Sequence, residues 1–146
     1  MLDDADRIWN RACDPFADYP NAGDRALQAL LRVHGQLMNG GLVSALEYHT
    51  PDEMARAVSA LRYFRLDGPA DALEQAFDTA FEGRRLIDPE DRGDHLDALD
   101  EGTHERLQQA EDDYYAAVPR DHVLEAAFRD RLRESPGDFA ALDDAS

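Results

Sequence analysis

The sequence predicts an all-α protein folded as a single compact multi-helix domain, and three observations carry that reading. Apolar residues recur at three- and four-residue spacing along almost the whole chain. No stretch alternates apolar and polar residues over strand length. The breaks between periodic stretches are short and rich in Pro, Gly, Asn and Asp. A chain of 146 residues with 43% apolar content is large enough for one hydrophobic core. Short connections predict that neighbouring helices run mostly antiparallel. No internal repeat or long linker divides the chain.

The elements follow in order. Ala5, Ile8, Trp9 and Ala12 mark a first helix, which Asp14-Pro15 breaks. Asp24 is the expected N-cap of the next, whose apolar face is Leu27, Leu30, Leu31, His34, Leu37 and Met38. Asn39-Gly40-Gly41 stops that helix, since both residue types tolerate left-handed backbone, and Leu42 to Tyr48 suits a short helix. Thr50-Pro51-Asp52-Glu53 is a helix start with cap, first-turn proline and capping-box glutamate, leading into Met54, Ala57, Val58, Leu61 and Phe64. Asp67-Gly68-Pro69 ends it. Leu73, Ala76, Phe77, Ala80 and Phe81 form the next helix, closed by Gly83. Thr103 is the expected cap of a helix bearing Leu107, Ala110, Tyr114, Ala117 and Val118. Pro119 separates it from the last, with Leu124, Ala127, Phe128 and Leu132, ending at Ser135-Pro136-Gly137. The acidic tail, residues 138–146, is expected to fray.

Charge is the other strong signal. The chain carries 32 carboxylates, 15 cationic residues and a net charge of −17. All the cations are arginine, a residue suited to fixed ion pairs with carboxylates. The charge is localised. Residues 88–113 hold 11 carboxylates against Arg92 and Arg106, whereas residues 25–87 are almost neutral. Such acidity argues against direct binding of nucleic acid or of an anionic membrane surface, and favours a basic protein partner. One cysteine, Cys13, makes neither an internal disulfide nor a cysteine-based zinc site. No apolar run approaches a membrane span, and the acidic N-terminus lacks signal-peptide features, so a cytoplasmic location is expected.

The acidic band admits two metal readings. An EF-hand starting at Asp88 fails, because Arg92 and Leu99 stand where ligands belong. A magnesium site on a helical face carrying Asp94, Asp97 and Asp100, with His95 and His104 nearby, lacks a second carboxylate cluster in the neutral half. Neither a phosphate-binding glycine loop nor a nucleophile elbow is present, and no cofactor is indicated. His34, on an apolar face, reads as a hydrogen-bonded core histidine, and His49 as a loop residue. Of Tyr114 and Tyr115, one is expected in the core and the other on the acidic surface.

Three passages together resemble a known family. They are Asn39-Gly40-Gly41-Leu42, the helical pair from Pro51 to Phe81 with Ala55, Leu61 and Ala76, and Ala110-Glu111-Asp112-Asp113-Tyr114-Tyr115. In this order and spacing, over roughly residues 25–118, the chain is similar to the DNA mimic protein family (domain of unknown function 4375). It departs from that pattern at Leu42-Val43-Ser44, where an aromatic and a glutamine are more usual. The resemblance implies an acidic all-α protein able to form a homodimer. Its carboxylates would imitate DNA phosphates on a DNA-binding protein, and no catalytic residue is implied.

The expected function is therefore non-enzymatic: an acidic face occupies the nucleic-acid-binding surface of a basic partner. Asp94, Asp97, Asp100, Glu101, Glu105, Glu111, Asp112 and Asp113 supply the charge, and Tyr115 an aromatic anchor. A DNA strand carries one phosphate per about 3.4 Å, and the band drawn as one helix extends about 39 Å, room for about eleven phosphates. Pro89, Gly93 and Gly102 bar a single straight helix, so the fold must arrange the carboxylates. Alternatives are an immunity- or antitoxin-like inhibitor of a basic toxin, a metal-dependent all-α enzyme, and acidity that serves only solubility.

Overall fold

The computed structural model describes residues 2–142. Among them are seven α-helices and no strand. In chain order these are α1 (Asp4–Ala12), α2 (Ala22–Tyr48), α3 (Pro51–Tyr63), α4 (Asp67–Phe81), α5 (Pro89–Asp97), α6 (Glu101–Ala117) and α7 (Asp121–Glu134), followed by a 3-10 turn, Pro136–Asp138. The all-α expectation holds.

The centre of the fold is a ring of four helices. α3 packs between α2 and α4, and α6 packs against α4 and α2. Thus α3 and α6 occupy opposite corners. α2 and α3 are joined by two residues, α3 and α4 by three, too few for anything but antiparallel neighbours. Leu27, Leu30, Leu37, Leu46, Met54, Leu61, Leu73, Phe81 and Tyr114 fill the interior and are essentially inaccessible to solvent.

Most helix ends lie where local chemistry puts them. Thr50 accepts the Glu53 N–H at 3.2 Å while Glu53 accepts the Thr50 N–H at 3.1 Å, the reciprocal cap read from the sequence. α2 loses helical geometry at Gly41, whose φ of 85° and ψ of 177° belong to a region open essentially to glycine alone. Asp67-Gly68-Pro69 lies at the start of α4 rather than at the end of α3, which stops at Tyr63.

Two expected caps are corrected. Asn21, not Asp24, precedes α2. Asp24 is buried in the first turn, where it accepts two bonds from Arg11 and the Ala140 N–H. Asp100, not Thr103, caps α6, accepting the Thr103 N–H at 2.7 Å. α5 goes beyond the expected elements, because its nine residues show too little apolar periodicity to signal a helix.

Fraying of residues 138–146 is corrected over 138–142; residues 143–146 lie outside the described residues. Phe139 is buried against Phe128 and over Gly23, where a Cβ would meet its ring at 2.6 Å. Arg11 donates to the Ala140 carbonyl at 2.6 Å, and the Tyr63 hydroxyl to Asp138 at 2.6 Å. An aromatic anchor and a buried ion pair thus hold a segment whose polar composition suggested a loose end.

Candidate functional site

The acidic band folds at an elbow into α5 and α6, about 14 and 26 Å long. The band is therefore two short rods and not a 39 Å strand. Asp88 caps α5 by accepting the Glu90 N–H, and Asp100 caps α6. Asp94 and Asp97 lie exposed on α5, whereas Asp100 is already past its end, so these three do not share one helical face. Hydrogen bonds from the Thr103 backbone and side chain hold the Asp100 carboxyl below the usual carboxylate range.

On α6, Glu101 and Glu105 are exposed one turn apart, and Asp112 and Asp113 are exposed near the other end. Gln108 and Gln109 stand between them, donating to Asp112 at 3.1 Å and Asp113 at 2.9 Å. Glu105 and Asp112 are separated by about 10 Å of helix axis. The acids of α6 thus form two groups with a neutral step between them.

Glu111 and Tyr115 turn inward. Glu111 is half-buried and accepts the Leu42 N–H at 2.8 Å, so its carboxylate caps the helical segment that restarts after Gly41. The Tyr115 hydroxyl donates to the Leu37 carbonyl at 2.6 Å, and burial followed by the neighbouring Glu111 charge raises its pKa. Tyr114 is buried, with its hydroxyl 2.8 Å from His34 Nδ1, and burial raises its pKa too. The other ring nitrogen, His34 Nε2, lies 2.8 Å from Asp121. A carboxylate accepts only, so with neutral His34 Nε2–H donates to Asp121 and Nδ1 accepts from Tyr114. The passages around Asn39-Gly40-Gly41 and Glu111-Asp112-Asp113-Tyr114-Tyr115 thus touch each other and tie α6 to the break in α2.

The residue that sequence reasoning misplaced is Arg92. It counted as one of two cations diluting the band. Instead its side chain is 1% exposed. It donates to the carbonyls of Glu47 (2.8 Å), Tyr48 (3.1 Å), Leu86 (3.2 Å) and Ile87 (2.6 Å). Two of those carbonyls belong to the last turn of α2, where the helix dipole favours a cation. Arg106 is then the only arginine of residues 88–113 left at the surface. Arg92 also brings two apolar side chains to the edge of the band. Tyr48 is 63% exposed and Ile87 59% exposed. Nothing in their local pattern announces that role.

Among the described residues no group of three or more His, Cys, Asp or Glu is placed to hold a metal ion. Both nitrogens of His95 are engaged, Nε2 with the Ala80 carbonyl at 2.7 Å and Nδ1 with Arg84 at 3.3 Å. No helix of the described residues is long and apolar enough to cross a membrane.

Comparison with known proteins agrees with the resemblance read from the residues. No curated protein and no solved structure matches the chain. The family model described as DMP19-like protein matches residues 17–135, a span that takes in both acidic helices, the Gly41 break and its Glu111 cap. Over most of its length, then, this chain belongs to the DMP19-like family of DNA mimic proteins.

Proposed function

We propose that the protein is a non-enzymatic DNA mimic whose α5–α6 face occupies the nucleic-acid-binding surface of a basic DNA-binding protein. The observation that carries this reading is the exposed acid set, Asp94, Asp97, Glu101, Glu105, Asp112 and Asp113, left nearly undiluted because Arg92 lies inside. Family membership supports it. Asp100 adds charge to the same face while capping the start of α6. Tyr48 and Ile87 supply contact area that water-exposed carboxylates lack. Binding is competitive: carboxylates take the arginines and lysines that otherwise meet phosphates, with fast association that weakens as salt rises.

The test is displacement of duplex DNA from a basic DNA-binding protein captured on this chain at low salt. The native chain is expected to displace DNA, with affinity falling steeply as salt rises. A variant carrying D94N, D97N, E101Q, E105Q, D112N and D113N is expected to lose at least about tenfold in affinity. Equal displacement by the neutralised variant would refute the reading. Capture of a basic toxin whose activity is blocked, with no DNA competition, would place the same face in an immunity-like role.

A further inference from the structure

Two exposed apolar side chains, Tyr48 at the end of α2 and Ile87 just before α5, come from distant parts of the chain and share one anchor. The buried Arg92 guanidinium donates to both of their carbonyls, from Nη2 to Tyr48 at 3.1 Å and from Nη1 to Ile87 at 2.6 Å. One rigid planar group therefore fixes both main chains. The Tyr48 ring is fixed a second time, edge-on against the buried His49 ring at a centroid distance of 4.9 Å. Two apolar groups are thus held in place while they stay in water, which lowers the ordering cost of binding through them.

Their surroundings are acidic. Asp88 caps α5, and Glu90, Asp91 and Asp94 are exposed along it. Glu47, exposed near the end of α2, lies across Gly93, where a Cβ would meet its Oε1 at 2.6 Å. It adds a carboxylate from α2 to the edge of α5. The cations of the loop before Ile87 are Arg84 and Arg85. Arg85 is paired with Asp52, and Arg84 donates to His95 Nδ1 at 3.3 Å. The balance around Tyr48 and Ile87 stays negative, so an apolar group that comes to them belongs to a basic partner. A second copy of this chain brings its own net charge of −17 and is repelled.

Carboxylates alone imitate phosphates, and phosphate contacts carry affinity without identity. A purely charged face would engage any cationic DNA-binding surface. DNA has no side chains like Tyr48 and Ile87 beside its phosphates, so the pair offers a contact that DNA does not. Glu90, Asp94 and Asp97 recur at four- and three-residue spacing, share one side of α5 and span about 10 Å, the spacing at which a second helix presents its own side chains. We propose that Tyr48 and Ile87 are the specificity-determining anchor of the acidic face, and that they select a basic helix with an aliphatic side chain about one turn from its arginines or lysines. This rests on the DNA-mimic reading and adds to it which basic proteins the face accepts. The cations of that helix meet the α5 carboxylates, and its aliphatic side chain leaves water against Tyr48 and Ile87. A basic surface without such a side chain gains the charge and forgoes the anchor.

The probes are two fluorescein-labelled peptides of about 16 residues, ~24 Å long as helices, with arginines at three- and four-residue spacing on an alanine background. One carries a pair of leucines a turn before the first arginine. The other carries glutamines there, which have a similar helix propensity. Anisotropy over a series of salt concentrations is expected to show the leucine peptide binding the native chain about tenfold more tightly. Tyr48→Ala/Ile87→Ala is expected to erase that preference and leave the salt dependence unchanged, because no ionic contact is lost. Tyr48→Phe/Ile87→Leu, which keeps the apolar surface, is expected to retain it, with circular dichroism reporting an intact helical fold for both variants. Equal binding of the two peptides by the native chain overturns the proposal and needs no variant. So does a preference that survives Tyr48→Ala/Ile87→Ala. In both cases the DNA-mimic reading stands as long as neutralising the six exposed acids weakens both peptides. No saturable binding of either peptide, or binding indifferent to those acids, brings down both readings. Sedimentation showing a native dimer that Tyr48→Ala/Ile87→Ala dissociates would assign the pair to a second copy and overturn the proposal too.

Discussion

Arg92 shows how one residue changes the reading of a surface. By composition it neutralises part of an acidic band. In the fold its planar guanidinium reaches four carbonyls at the junction of α2 with the loop before α5, a geometry that suits arginine and defeats lysine. Arg92→Ala strands those carbonyls and uncaps the last turn of α2. Urea denaturation is expected to show a loss of about 3–5 kcal/mol. Arg92→Lys should recover little, because a single ammonium cannot span the four acceptors. A change below about 1 kcal/mol for either variant would contradict the assignment. His49 makes a second residue-scale prediction. It is fully buried at the end of α2, its Nε2 has no partner, and its Nδ1 lies 3.5 Å from Glu53. Burial lowers its pKa below the ordinary 6.5, against the opposing pull of Glu53. The unfolded chain then binds more protons than the folded one in the window just below about pH 6.5. Stability is complete above that pH and falls as the pH drops through the window. His49→Gln removes the titration. Urea midpoints measured at about pH 7.5 and about pH 5.5 are expected to diverge more for the native chain than for the variant. Equal acid losses in both would exclude His49 as the source.

Among the elements, α2 is the one whose internal break organises the site. Asn39-Gly40-Gly41 is legible as an interruption because glycine and asparagine mark such points. The sequence does not show that Glu111, far along the chain on α6, caps the restart. At Gly41 a side chain would sit in backbone territory reserved for glycine, with its Cβ 3.3 Å from Glu111 Oε2. Gly41→Ala is expected to destabilise by about 1–3 kcal/mol, and Glu111→Ala by about 0.5–2 kcal/mol. Glu111→Gln, which keeps an acceptor, should lose less than Glu111→Ala. The double variant should lose less than the sum, since both act on the same Leu42 N–H. Thermal denaturation of the four variants checks the pattern, and strict additivity would show that the two residues act separately. α5 was the element least legible in advance. Its nine residues bury Arg92, Gly93 and Leu96. Its docking depends on a stacked Phe81–His95 pair and on Arg92, contacts that no hydrophobic periodicity encodes.

At the scale of the whole molecule, the ring of α2, α3, α4 and α6 converts an uneven sequence into a polar object. The acidic stretch enters as α5 and α6, and the neutral stretch forms α2, α3 and α4. Because α3 and α6 sit at opposite corners, the carboxylates of α6 lie on the side of the ring away from α3. The local signals were enough for the all-α class, for most helix boundaries and for the family, because helical periodicity, caps and breakers act within a few residues. They also located the negative charge in residues 88–113, since charge is a property of composition. Only tertiary structure decided which charges face water. Burying Arg92, Asp24 and His34 requires partners that are distant in the chain, and a polar group enters a core only where those partners meet it. The same long-range packing drew Glu111 and Tyr115 inward from the binding face expected of them. It also pinned Phe139, whose ring finds its place over Gly23 only after α2 and α7 have come together.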